Sequence, residues 1–408
     1  MIHRVRRVEG VPVVAVRVWL RGGSRAESLP GQCWATGRLL TEGTARRGWR
    51  DIAAAAEARG AVLYGSGGPE AHGLAADALA EDWELALSWV AELLYDSSFL
   101  EERVRWIARQ GETELRSDLD QPEVRTAWAF LEQLYAPNPR GRPLQGTPEG
   151  LARLTGRDCR DFHRRGLAAG GIVVVTGAID EETVAQRLAA LFATDAEGGA
   201  PGAAPPPATG LPQRRRTLPS GAIDQAHLYL GHLTVPRLHP DLAALELLAV
   251  ILGAGAGLTG RVPERLRERE GLAYSAEAAV VAGAGSEPGR LAIYAGTSPD
   301  AVERAERAAR EELDRLLAEG VTEAELEEAR TYLLGREPFR RETARQWADL
   351  LAEAAYWGLP FDDPQWRRRE LEAVDRRRLE AVARHHLRPD ELRVTVGLPG
   401  PAGGPEPA

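Results

Sequence analysis

The sequence predicts an α+β protein made of two similar domains. Three observations carry that prediction: long helical periodicities interleaved with a few strands, a Pro/Gly/Ala-rich segment dividing the chain into near-equal halves, and a local pattern that recurs at one offset. At 408 residues, 44% of them hydrophobic and 27% charged, the chain has length and composition for two full hydrophobic cores.

The first stretch, MIHRVRRVEGVPVVAVRVWL, has the outline of a secretory leader. Arg17 breaks its apolar run, however, and no small-residue cleavage site follows, so a cytoplasmic protein is expected. The alternation of Val14, Val16 and Val18 instead predicts a strand over 11–20. Helical periodicity then runs through 77–94 and 101–118, and the apolar run 172–176 predicts the strand that closes the first half. Residues 195–212 (DAEGGAPGAAPPPATGLP) have nothing to bury and predict a linker between domains 1–194 and 213–408. In the second half strands are predicted over 226–233, 273–281, 290–295 and 392–396, and helices over 299–318, 323–334 and 363–385. Leu154, Leu167 and Gly177 recur as Val374, Leu387 and Gly397 at a constant offset of 220 residues, which predicts a repeated helix, turn and terminal strand. Parallel βαβ alternation is absent, so each sheet is expected to be mostly antiparallel and covered by helices on one face.

Composition removes several classes of function. A net charge of −9 argues against nucleic acid, although arginine is abundant. No apolar run approaches the ~20 residues that span a membrane. Cys33 and Cys159 are the only cysteines, so neither a disulfide framework nor a zinc ribbon is available. Lysine is absent, and Asn138 and Met1 are single examples of their kind. Such depletion fits a heat-adapted source, and a GC-rich genome would also replace lysine with arginine.

Residues 31–44 read GQCWATGRLLTEGT. This frame resembles the one around His-x-x-Glu-His in the insulinase/pitrilysin family of inverted zinc-motif peptidases, in which two histidines hold Zn²⁺ and the glutamate works on the metal-bound water. Here those five positions are Trp34, Ala35, Thr36, Gly37 and Arg38: both ligands and the base are gone. The resemblance extends over nearly the whole chain. Residues 22–27 (GGSRAE) look like the segment before the zinc helix, 49–60 like the helix after it, and 137–147 (PNPRGRPLQGT) like another recurrent segment. Ala61, Val62, Leu63 and Tyr64 fall in what would be the edge strand along which a peptide is laid. In the second half 267–275 (REREGLAYS) is the sharpest match, followed by 320–326 (GVTEAEL).

The resemblance implies a third zinc ligand on a long downstream helix. Glu114 is its counterpart, 76 residues past Arg38, with Glu112 as the fallback. A lone carboxylate beside a permanent cation does not hold zinc. Two arrangements are open: Arg38 pairs with Glu114 and stands in for the metal, or Arg38 points to solvent and Glu114 is an ordinary helix-face residue. The family also carries an arginine seven residues before a tyrosine, here Arg267 and Tyr274. Both would donate hydrogen bonds to a scissile carbonyl gaining negative charge. The alternative is a buried structural tyrosine and a solvated arginine.

Other motifs are weaker. Gly255, Gly257 and Gly260 satisfy G-x-G-x-x-G, but they follow a helical stretch rather than a strand, which excludes a dinucleotide site; a loop touching peptide at Gly255 and Gly257 is the reading retained. His385 and His386 are adjacent and cannot share one helix face, so both read as surface residues. His72 and Glu70 lack a second histidine at ligand spacing, and the arginine runs 214–216, 367–369 and 376–378 read as solvated flanks.

Together these readings predict the non-catalytic subunit of a two-subunit insulinase-type peptidase. It would bind no cofactor itself, with zinc in a homologous partner subunit that keeps His-x-x-Glu-His. The substrate would be a peptide or unfolded segment added to a sheet edge. Neither nucleic acid nor membrane is expected as a partner. A structural core subunit and a peptide-binding homodimer are the rival expectations.

Overall fold

The computed structural model describes residues 1–192, 204–221, 224–254, 260–281, 283–360, 363 and 365–400. In the first part of the chain the elements are β1 (Ile2–Arg7), β2 (Val13–Arg21), α1 (Gln32–Leu39), α2 (Trp49–Glu57), β3 (Val62–Gly67), β4 (Ala71–Leu79), α3 (Trp83–Tyr95), α4 (Glu101–Leu119), α5 (Pro122–Tyr135), α6 (Pro148–Arg153), α7 (Gly156–Ala168), β5 (Gly171–Gly177) and α8 (Glu181–Leu191). Then follow β6 (Arg215–Gly221), β7 (Ala226–Leu233), α9 (Leu242–Leu252), α10 (Arg261–Pro263) running into a π-helical turn (Glu264–Arg269), β8 (Ala273–Val281), β9 (Arg290–Thr297), α11 (Val302–Glu319), α12 (Glu323–Arg336), α13 (Ala344–Trp357), α14 (Trp366–Glu372), α15 (Arg376–His386) and β10 (Arg393–Pro399).

Two five-stranded sheets result, ordered β1-β5-β2-β4-β3 and β6-β10-β7-β9-β8. The orders are the same once each strand is replaced by its counterpart five strands on, so the duplication read from three residue pairs extends to whole sheets. Each sheet has one parallel pair, β1 with β5 and β6 with β10; the other pairings are antiparallel. The α+β class holds.

The chain divides into two compact units that differ from the sequence halves in one respect. The first unit takes residues 337–363 from the second half, and the second takes 116–142 from the first. These segments bring a helix to the face of each sheet that was expected to be bare. On α13, Ala344, Ala348, Leu351, Ala352 and Ala355 repeat at helical spacing and bury against Ala15, Ile172 and Val174 of the first sheet. On α5, Phe130 and Leu134 pack against Tyr229 and Leu233 in the second unit. Both helices are capped for their task, α5 by Pro122 in its first turn and α13 by a Thr343/Gln346 box with Gly358 at φ +67° behind it. The sheets are therefore covered on both faces.

Other corrections are local. The helix predicted over 77–94 begins at Trp83, because Ala71–Leu79 is strand β4. The helix predicted over 363–385 is two helices, α14 and α15, separated at 373–375. The arginines 214–216 are not a loose flank: Arg215 and Arg216 open strand β6 and pair with Glu306 and Glu132. Within 195–212, the described end is anchored in the second unit, where Asn138 donates to the Pro206 carbonyl at 2.8 Å and Gly210 donates to Ala136 at 2.8 Å.

Candidate functional site

Helix α1 sits directly on edge strand β3 because glycines remove the side chains between them. A Cβ on Gly37 would lie 2.2 Å from the Ser66 carbonyl carbon, and one on Gly65 would lie 1.9 Å from the Gly37 oxygen. Gly67 meets the Cys33 carbonyl in the same way, at 2.3 Å. The start of α1 is held by side chains: Glu27 accepts the Cys33 N–H at 3.2 Å, and Gln32 donates to the Asp158 carbonyl at 2.8 Å.

Along α1 the former metal positions carry a different assembly. Trp34 is buried, its ring against Gly111 of α4, where a Cβ would come within 2.8 Å. The Arg38 guanidinium lies over that ring, 4.5 Å from its centroid. It also forms a forked ion pair with Glu114 of α4, Nη1 to Oε1 at 3.0 Å and Nη2 to Oε2 at 3.4 Å. The first of the two arrangements left open by the sequence is thus the one observed. Both side chains remain a little over a third exposed, so the pair contributes about 1 kcal/mol at most.

These residues do not fit zinc. Of the four positions only Glu114 is a possible ligand, and a guanidinium already engages its carboxylate; Trp34 occupies the space against Gly111, and Gly37 leaves no room for a base.

Strand β3 is an edge of its sheet, paired with β4 alone among the described residues. Of the four residues expected to lie along a peptide, Ala61 is buried and precedes the strand, while Val62 and Tyr64 are exposed and share the face that α13 covers further in. Leu63 points to the α1 side with Gly65. Under Tyr64, Arg17 of β2 is almost fully buried and held by Asp77 at 2.9 Å and Asp349 at 2.6 Å, with its Cζ 5.8 Å from the Tyr64 ring. Partial burial and the two aspartates raise the Tyr64 pKa despite Arg17, so its hydroxyl stays a neutral donor. Sequence reasoning missed the Arg17 network. Its signal was a charged residue at an inward position of an otherwise apolar strand.

The second set of expected residues lies in the other unit. Arg267 is on the π-helical turn, 41% exposed, with Glu268 at 3.6 Å. Tyr274 is the second residue of β8, the edge of the second sheet, and is 77% exposed. Gly255 and Gly257 lie outside the described residues.

Of the histidines set aside on sequence grounds, His72 and His386 are buried. His72 of β4 and His163 of α7 meet at 3.3 Å (Nε2 to Nδ1), and His163 Nε2 donates to the Leu94 carbonyl at 2.7 Å. His163 is therefore a neutral ring that accepts from His72, and burial keeps His72 neutral as well. His385 is exposed.

Comparison with known proteins gives concordant findings. A family model described as the peptidase M16 inactive domain matches residues 153–333. The chain is 30% identical over 354 residues to an uncharacterized zinc protease of Mycobacterium leprae (strain TN), an alignment covering 85% of this chain and 79% of that one. The crystal structure of a peptidase M16 inactive domain from Pseudomonas fluorescens matches with a TM-score of 0.86 at 21% identity, over 98% of this chain and 96% of that one. A chain of complex III2 from Candida albicans matches with a TM-score of 0.79 at 15% identity, over 97% and 93%. At such identities the two structural likenesses speak for the fold alone.

Proposed function

We infer the function of this chain from its family: it belongs to the insulinase-type peptidases, the M16 family, as a non-catalytic member. The chain is the subunit of a two-subunit peptidase that lacks a catalytic zinc site of its own. A homologous subunit with an intact His-x-x-Glu-His holds the zinc, and this chain supplies Arg267 and Tyr274 to the shared site.

One observation carries this reading. Tyr274 is a large aromatic residue that its own unit leaves 77% exposed on an edge strand, so it is not there to fill a core. A structural subunit has no use for an exposed phenol seven residues after an exposed guanidinium, while the zinc ligands have been replaced by an aromatic residue and an arginine. Phenol and guanidinium are both hydrogen-bond donors, suited to an oxygen on which negative charge develops.

The substrate is an extended peptide or unfolded segment. Support comes from β3, whose outward edge offers backbone groups free of sequence preference, and from Val62 and Tyr64, whose exposed side chains flank such a strand. No described helix is long and apolar enough to cross a membrane. Residues 1–20, which have the outline of a leader, form β1 and most of β2 of the first sheet.

The test is to reconstitute the chain with the homologous subunit and replace Tyr274 by Phe. Losing one donor of about 3 kcal/mol lowers turnover on the order of a hundredfold with the complex intact by mass. Unchanged turnover would favour the structural-subunit reading.

A further inference from the structure

Outside the regions discussed so far, the second unit brings two imidazoles and a carboxylate together. Asp241 is the residue immediately before α9, His239 lies two positions earlier, and His386 is the last residue of α15. Asp241 Oδ2 lies 2.7 Å from His386 Nε2 and 3.7 Å from His239 Nδ1, and the donor atoms of all three residues fall within 4.8 Å of one another. The two histidine rings meet edge-on with centroids 5.4 Å apart.

We propose that His239, Asp241 and His386 form a binding site for one divalent transition-metal ion of the zinc class, which clips the end of α15 to the start of α9. Bonds of about 2.0–2.1 Å in a tetrahedral ion separate neighbouring donors by roughly 3.3 Å, a value the distances here bracket. Oδ2 faces both histidines, so it is the ligand oxygen. Oδ1 is engaged by Arg378, which orients the carboxylate from outside the coordination shell. His239 Nδ1 accepts the Asp241 backbone N–H at 3.1 Å, so that nitrogen carries a lone pair and not a proton, and metal binding exchanges this hydrogen bond for a coordinate bond. As the ion takes His386 Nε2, the proton that nitrogen shares with Asp241 moves by way of solvent to Nδ1, so the ring stays a neutral ligand.

The site has the marks of a metal centre with open positions. Its carboxylate and one imidazole are shielded, with side chains 13% and 5% exposed, while His239 at 32% leaves a side open to water. Two imidazoles and one carboxylate select zinc, cobalt or nickel over magnesium or calcium, which take oxygen ligands. The positive start of α9 and the negative end of α15 oppose each other, so the helix ends neither favour nor forbid a cation. His385, whose ring centroid lies 4.5 Å from that of His386, is a further imidazole at this corner. The sequence hid the site because 145 residues separate Asp241 from His386. The proposal amends the expectation that this chain binds no metal, without placing one at Trp34 and Arg38, and it stands apart from the peptidase reading.

The experiment is titration of the full-length chain with Zn²⁺ by calorimetry, with Co²⁺ as a spectroscopic probe. We expect one ion per chain, a visible Co²⁺ absorption band of low-coordinate geometry, and a higher melting temperature with zinc. His239→Gln and His386→Gln each weaken binding at least tenfold, whereas Glu114→Gln leaves it unchanged. His239→Gln serves as the folding-safe variant, since its ring is the most exposed of the three. Absence of saturable binding overturns the proposal. So does binding of equal strength in His239→Gln.

Discussion

Gly37 is where lost chemistry and packing meet. A Cβ there would stand 2.2 Å from the backbone of Ser66, so the position that would carry the base has no room for a side chain. The prediction is that the triple change Trp34→His, Gly37→Glu, Arg38→His restores neither zinc binding at Glu114 nor hydrolysis. Gly37→Ala alone should cost about 1–3 kcal/mol in a urea titration, as overpacking does. Recovery of zinc-dependent cleavage by the triple variant would show that the site had only been edited, not closed. The buried histidines give a second residue-scale prediction. Burial pushes His163 down to about 4 and His72 well below its ordinary value of 6.5. Between those values the unfolded chain binds more protons than the folded one, so this contribution is complete above 6.5 and is lost as pH falls toward 4. For His163 the loss is on the order of 3 kcal/mol. Urea midpoints at about pH 7 and about pH 5 should therefore diverge in the wild type and diverge less in His163→Gln, where His72 alone of the pair remains; equal divergence in both would assign the acid sensitivity elsewhere.

At the scale of elements, legibility followed the strength of the local pattern. Strands β7 and β8 were readable to their observed ends because valine, leucine and alternation all agree there. Strand β4 was not: AHGLAADAL is rich in a helix former, and its helical reading is overridden by pairing with β2 and β3 on either side. The contact of Arg38 with Glu114 was legible as one of two arrangements, since the family resemblance set their positions but the stacking on Trp34 depends on how closely α1 approaches α4. That approach, at Gly111, and the seating of α1 on β3, at Gly37 and Gly65, are governed by glycines, whose effect is spatial and leaves no periodicity. Hence Gly65→Ala, whose Cβ would meet the Gly37 oxygen at 1.9 Å, should destabilise the first unit by about 1–3 kcal/mol. Gly335→Ala in α12, where nothing lies within 4 Å, should stabilise by about 0.5–1 kcal/mol. Chemical denaturation of the two variants checks both signs.

For the whole molecule, the exchange of α5 and α13 is what the linear sequence concealed. Both segments have ordinary helical periodicity, and nothing local marks which sheet they cover. The consequence is that neither 1–203 nor 204–408 contains a complete unit. Expressed separately, each half should fail to unfold cooperatively; expressed together, they should associate one to one. Cooperative unfolding of either half alone would contradict the assignment of α5 and α13. The same scale holds the functional account, in which hydrogen-bond donors sit in this chain and the catalytic metal in another. Peptide hydrolysis by the purified chain, supplied with zinc and compared with the reconstituted pair, addresses it directly. The account predicts cleavage by the pair and none by the chain alone; turnover by the isolated chain would contradict it.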